Sequence, residues 1–186
     1  MAKEATRMSS LVNDLLSLTR IERIEHSPPN EKVDLGEIIK EVEQICIDRD
    51  LFKKIKCKFK IIKKKNEIIG DSPELKQVFL NIIENAVTHS NSKKTVIVKL
   101  ENVRSSVNFS VEDFGIGIPN ENIPLLTKRF YRVDEARSRN SGNTGLGLSI
   151  VKHIVNRHNA ELDISSIEGK GTKFSIMFNK DKPSLL

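Results

Sequence analysis

Tryptophan is absent from the 186 residues, tyrosine occurs once, cysteine twice, and aromatics total 5%. Cys46 and Cys57 show neither metal-ligand nor C-x-x-C spacing, which excludes a cysteine metal framework and a dithiol redox motif. Both are expected to stay reduced, in a cytoplasmic compartment. The scarcity of aromatics removes the stacking platforms that basic nucleic-acid binders interleave with lysines, so the net charge of +6 implies no nucleic-acid partner. The basic run KKIKCKFKIIKKK reads instead as a strand. Ile55, Cys57, Phe59 and Ile61 alternate with Lys54, Lys56, Lys58 and Lys60, giving one core face and one charged face that discourages edge-to-edge pairing. No apolar run reaches the length of a membrane span and no secretory signal is recognisable, so a membrane is expected to be reached only through a segment outside these residues. Neither G-x-G-x-x-G after a strand nor a run ending in G-K-[ST] occurs, which excludes a dinucleotide fingerprint and a P-loop.

Hydrophobic residues make up 38% of the chain, enough for a core. Along residues 3–25, Ala5, Met8, Val12, Leu15 and Thr19 recur three and four apart, widened by Leu11, Leu16 and Leu18, as on a long helix packed in a bundle. His26-Ser-Pro-Pro-Asn30 interrupts it, because proline cannot continue a helix and biases its predecessor toward extended backbone. The organisation expected is therefore a helix over 1–26, a linker over 27–32, one domain over 33–180 and a tail over 181–186. Within the domain the periodicities predict helices at 35–51, 73–89 and 145–158. Strands are predicted near 55–62, 67–70, 94–102, 106–113, 160–167 and 172–178. That order gives an α/β (α+β) two-layer sandwich, with a mixed, antiparallel-rich sheet on three helices, preceded by the long helix.

In LKQVFLNIIENAVTHS, helical rotation places Asn81, Asn85, Thr88 and His89 in a polar stripe beside the apolar stripe of Leu75, Val78, Ile82 and Ala86. Amide oxygens suit Mg2+, although a solvated helix flank has the same pattern. Asp113 continues the inward series Val107, Phe109, Val111, where a carboxylate needs a partner; the exocyclic amine of adenine is one and a solvated turn is the alternative. Gly115 and Gly117 follow, permitting a close backbone approach. Gly142, Gly145 and Gly147 lead into a helix carrying Leu148, Val151, Ile154 and Val155, and a helix N-terminus binds phosphate. Asp134–Asn143 is polar and lacks a core pattern, as in a loop with a function of its own.

Residues 75–178 resemble the catalytic ATP-binding domain of sensor histidine kinases, within the gyrase, chaperone and mismatch-repair ATPase superfamily. LNIIENAVTHS resembles the N box, VEDFGIGIP the first glycine box, LLTKRFYRVD the phenylalanine box, GNTGLGLSIVK the second glycine box and GKGTKF the third. The wording YRVDEARSRNSGNTGLGLS is similar to kinases of the PhoR and WalK type. The resemblance implies ATP and Mg2+ as cofactors, with Asn85 as metal ligand, Asn81 beside the phosphates and Asp113 reading adenine with Thr172 through a shared water. Gly115, Gly117 and Ile118 would line the base. Phe130 and Arg132 would flank the nucleotide with Arg132 near the γ-phosphate, and Gly145, Leu146, Gly147 and Leu148 would present backbone to the phosphates. Thr88 stands where a lysine is usual, His89 where a tyrosine or phenylalanine is usual, and Asn143 where the lid often has glycine.

Members that hydrolyse ATP place a glutamate where Asn81 stands, and an amide cannot take a proton from water. The resemblance therefore implies phosphoryl transfer to an external nucleophile, the imidazole of a histidine on a helical hairpin, with Asn81 and Arg132 acting by position and charge. None of the four histidines has the acceptor context of an acidic neighbour and a nearby proline. His26 precedes Ser-Pro-Pro in the linker, His153 and His158 lie on or at the end of the helix after the second glycine box, and His89 alone falls near ATP. Residues 1–26 resemble the second hairpin helix, so the chain reads as a C-terminal piece of a kinase anchored in the bacterial inner membrane. The resemblance further implies a homodimer through the hairpin and a response-regulator receiver domain as partner. A helix folded against its own domain is the alternative for 1–26. A hydrolysing ATPase, a domain that only binds partners and a serine kinase of the anti-sigma type are the alternatives for function.

Overall fold

The structure is a computed structural model describing residues 2–24, 27–53, 55–62, 65–91, 93–133 and 144–180, with side chains from residue 8 onward. The loop expected over 134–143, His26 and the tail over 181–186 lie outside the described residues. Its elements are α1 (Ala2–Ile24), β1 (Glu31–Asp34), α2 (Leu35–Asp48), β2 (Lys56–Ile61), β3 (Glu67–Gly70), α3 (Ser72–His89), β4 (Thr95–Val103) and β5 (Ser106–Glu112). A 3-10 turn at Asn120–Leu125, α4 (Gly147–Arg157), β6 (Glu161–Ile167) and β7 (Gly171–Asn179) complete it.

Five strands form one sheet in the order β2-β4-β5-β7-β6. β2 runs parallel to β4, and the other pairs are antiparallel. Alternation decides which face is covered: Val96, Val98 and Leu100 of β4, Val107, Phe109 and Val111 of β5, and Phe174, Ile176 and Phe178 of β7 are all buried. α3 lies against β4 and β5 and between α2 and α4. Its Phe79 ring stacks tilted on Phe109 at 4.2 Å between centroids and meets Phe178 edge-on at 6.3 Å, a contact worth about 0.5–1.5 kcal/mol per pair beyond area burial. This is the mixed two-layer sandwich that the periodicities predict.

Acidic caps start two of the helices. Asp34 accepts from Gly36 N–H at 2.7 Å and from Glu37 N–H at 3.3 Å. Asp71 accepts from Glu74 N–H at 3.1 Å, with proline in the first positions of α3. α2 stops at Asp48, short of residue 51, because Asp50 turns to φ +56 and Leu51 N–H bonds back to Cys46 O at 3.0 Å. α4 starts at Gly147, after 145, because Gly145 takes φ +76. β1 is a strand the sequence hides: four residues with two exposed, paired antiparallel to β3 with Glu31 opposite Gly70. It begins inside the stretch expected to be linker.

α1 lies on α4. Leu18 and Ile21 are each 3% exposed beneath it. Thr144 Oγ1 donates to Asp14 Oδ2 at 2.6 Å, Arg157 Nε donates to Ile24 O at 3.2 Å, and Glu22 pairs with Arg129. The stripe of Met8, Val12, Leu15 and Leu16 remains exposed on another face, so the helix has one apolar face on the domain and one turned to solvent.

Candidate functional site

A cavity of about 580 Å3 opens between α3, the ends of β5 and β7, the segment before α4 and one flank of α1. Asn81, Asn85, Thr88 and His89 all line it, as the helical stripe predicts. Asn81 Nδ2 reaches Gly147 O at 3.4 Å, tying α3 to the first turn of α4. A Cβ on Gly147 would stand 3.2 Å from Asn81 Oδ1, so any larger residue would press on that amide. α4 has no side-chain cap at its start. Gly145, Gly147 and Leu148, around this helix start with its unpaired first-turn N–H groups and positive dipole end, line the cavity.

Asp113 stands at the other side, only 5% exposed. Its Oδ1 accepts from Gly115 N–H at 2.8 Å, and its own N–H donates to Thr172 O at 2.9 Å. Burial raises its pKa above the ordinary carboxylate value, opposed by the Gly115 and Thr172 N–H groups and by His89. Thr172, also 5% exposed, has its hydroxyl 2.9 Å from Ser166 Oγ. Ser166 in turn accepts from Ile118 N–H at 2.8 Å and lies 2.9 Å from Gly171 O. Ser166 was not legible in the sequence, because a serine in an alternating strand has no signature until its register puts it opposite Thr172.

Two glycines are held by close backbone contacts. A Cβ on Gly115 would fall 1.9 Å from His89 O, and one on Gly117, at φ +68, would fall 2.2 Å from Ile167 O. Both are required by the chain's approach to itself. Gly117 and Ile118 line the cavity, and Gly115 does not. Leu146 is fully buried beneath the start of α4, and Phe130 is 58% exposed at φ +61, joined to Gly145 O through its N–H at 3.0 Å. Neither Leu146 nor Phe130 lines the cavity, while Arg132, Leu148 and Thr172 do. Gly142 and Asn143 lie outside the described residues.

Sequence reasoning missed Glu84, Tyr131, Thr144, Ser10 and Asp14, all on the wall. Glu84 sits beside Asn85 in the sequence and pairs with Arg49 at 3.1 Å. Burial raises its pKa, opposed by Arg49 and reinforced by the Asp14 charge. The Tyr131 hydroxyl donates to Asn122 Oδ1 at 3.0 Å. Ser10 and Asp14 had no signal at all, since only the docking of α1 brings them to the cavity. Crowding by protein lowers the His89 pKa even though the residue as a whole is exposed; Asp113 acts against that shift and Arg132 with it. His158 is structural: Nε2 accepts from Asp71 N–H at 3.0 Å and Nδ1 donates to Ile154 O at 2.8 Å. His153 Nε2 lies 3.7 Å from Glu22.

A protein-family model described as histidine kinase-, DNA gyrase B-, and HSP90-like ATPase matches residues 70–182. The chain is 35% identical over 182 residues to the phosphate regulon sensor protein PhoR of Pseudomonas aeruginosa, covering 96% of this chain and 40% of PhoR. It is 37% identical over 180 residues to the sensor protein kinase WalK of Staphylococcus haemolyticus, covering 94% of this chain and 29% of WalK. The chain thus spans well under half the length of these curated relatives. Among solved structures, the mycobacterial sensor histidine kinase MprB superposes at a TM-score of 0.71 with 29% identity, covering 80% of this chain and 97% of that one. The full-length ShkA structure in complex with AMPPNP superposes at 0.78 with 24% identity, covering 98% and 38%, and shares the fold.

Proposed function

The chain belongs to the family of histidine kinase-, DNA gyrase B-, and HSP90-like ATPases, and we propose that it is the ATP-binding catalytic part of a sensor histidine kinase. On this reading it transfers the γ-phosphoryl of ATP to a histidine on a helical hairpin that includes α1, for relay to a response-regulator aspartate. Residues 33–180, with β1 extending them to Glu31, are the catalytic domain, and the parent is a dimer through the hairpin.

One observation carries the nucleotide reading: a sealed carboxylate, Asp113, and an uncapped helix start, α4, lie on the walls of one cavity. The first suits an amine donor and the second an anion. A purine with a phosphate chain has both. Asp113 reads the base beside Thr172, with Gly117 and Ile118 along it and His89 against its face. Gly145, Gly147 and Leu148 bind phosphate by backbone, Asn81 holds the turn they belong to, and Arg132 stabilises charge on the terminal phosphoryl.

The residues also fit a divalent cation of the kind that travels with ATP. Among the described residues, no group of three or more His, Cys, Asp or Glu side chains could hold an ion. Asn85, on the cavity wall, would supply a hard oxygen ligand to Mg2+, an ion that also accepts water and phosphate oxygens. When bound, the ion neutralises phosphate charge. Asn81 has no basicity for activating water.

Hydrolysis has one observation in its favour, the Glu84 carboxylate on the same wall with a raised pKa. Its carboxylate is already paired with Arg49 at 3.1 Å, which supports transfer over hydrolysis. Incubation with γ-labelled ATP separates the two. The 186-residue chain is expected to bind nucleotide, release little phosphate and carry no acid-labile, base-stable label, while the full-length protein acquires that label. Rapid phosphate release by the chain alone would make it an ATPase.

A further inference from the structure

Asp14 is the acidic side chain that α1 brings to the wall of the cavity, where it stands with Gly145 and Gly147. The Thr144 hydroxyl has a single proton, and it goes to Asp14 Oδ2 at 2.6 Å. Thr144 Oγ1 itself accepts from Leu146 N–H at 3.2 Å. A carboxylate on α1 is therefore linked through one hydroxyl to the backbone just before α4, at the end of the cavity that offers uncapped N–H groups. It cannot swing away on its own, because α1 is fixed by buried Leu18 and Ile21 and by the Arg157 bond to Ile24 O.

Resting on the nucleotide reading above, we propose that Asp14 is a selectivity residue of this site: with α1 docked, its carboxylate disfavours a nucleoside triphosphate relative to the diphosphate. A negative charge beside the phosphate end acts on the γ-phosphate far more than on the base. Like charges a few ångströms apart in a partly desolvated cleft repel strongly enough to change relative affinity on the order of tenfold. Glu84, on the same wall, feels the Asp14 charge as well. The docked helix would then favour product retention, and movement of α1 away from α4 would lift the bias toward ADP.

Calorimetric titration of the whole chain with Mg2+·ATP and Mg2+·ADP tests this, comparing the parent with Asp14→Asn and Thr144→Val at low and high salt. Asp14→Asn keeps an oxygen for the Thr144 hydroxyl and removes the charge. It is expected to raise the affinity for ATP about tenfold relative to ADP, with the gain shrinking as salt rises. Thr144→Val removes the hydrogen bond and keeps the charge, so it should retain the preference for ADP. An unchanged ATP/ADP ratio in Asp14→Asn overturns the proposal while leaving nucleotide binding intact. A specific loss of ATP affinity would make Asp14 a metal ligand and overturn it too, and a Thr144→Val shift equal to that of Asp14→Asn would replace charge with loop geometry. If the parent binds neither nucleotide, the functional reading itself fails.

Discussion

Arg157 and Glu74 form an ion pair at 2.6 Å between side chains only 8% and 11% exposed. It joins the last turn of α4 to the first turn of α3, and the same guanidinium donates through Nε to Ile24 O at the end of α1. Three helices thus meet at one cation. Glu74 has a raised pKa all the same, because desolvation outweighs the pull of Arg157. Breaking a buried pair leaves a stranded charge at a cost of about 3–5 kcal/mol. Arg157→Met should therefore lower stability to denaturant by about that much, and the double variant Arg157→Met, Glu74→Met should recover most of it. Recovery of nothing would show that the Ile24 contact, rather than the pair, sets the cost.

His158 makes stability depend on pH near neutrality. Desolvation lowers its pKa from the ordinary 6.5, with Arg157 in the same direction and the Ile154 carbonyl and Asp71 opposing. A group with a depressed folded pKa contributes stability that is present above its unfolded value and lost as pH falls through the folded one. Protonation would also remove the acceptor for Asp71 N–H. Thermal melts between pH 7.5 and 5 should decline for the parent and decline less steeply for His158→Asn. Equal slopes would dismiss the histidine. Glu74, Glu84 and Asp113, all raised, act oppositely: what they contribute is complete below the ordinary carboxylate range and lost as pH rises through their folded values.

Asp113→Asn and Asn85→Ala separate base recognition from metal ligation. A hydrogen bond to a charged group is worth about 1.5–3 kcal/mol, so Asp113→Asn should weaken ADP binding roughly tenfold to a hundredfold with or without Mg2+. Asn85→Ala should weaken binding mainly when Mg2+ is present. Unchanged calorimetric affinity in both variants would remove the nucleotide assignment.

His89 supplies a ring at the mouth of the cavity. Base stacking is worth about 1–3 kcal/mol, so His89→Ala should cost affinity for ADP and His89→Tyr should preserve or strengthen it. ADP titrations in which alanine matches the parent and tyrosine is much worse would end the stacking role.

Much of this site was legible in the sequence because its parts obey local rules. Asn81, Asn85, Thr88 and His89 share a helix face by periodicity alone, and Asp113 follows a clean strand alternation. Long-range geometry hid the rest. Asp14 lies far from Thr144 in sequence and reaches it only through docking of α1, and Ser166 meets Thr172 only through the β6–β7 register. β1 escaped because four residues with two exposed carry no periodicity. Gly115 was legible as a necessary glycine, but its reason, the carbonyl of His89, depends on where α3 ends.

The parallel pairing of β2 with β4 has a kinetic consequence. Parallel neighbours cannot be joined by a tight turn and need a crossover, and here the crossover holds β3 and α3. Lys56 finds Thr95 only after the intervening chain has been laid across the sheet, so that edge bears the loop-closure entropy of the whole segment. The helix presenting Asn81 and Asn85 is thus also the bridge that lets the outermost strand join, and loosening it would fray the β2 edge, with early loss of amide-exchange protection there.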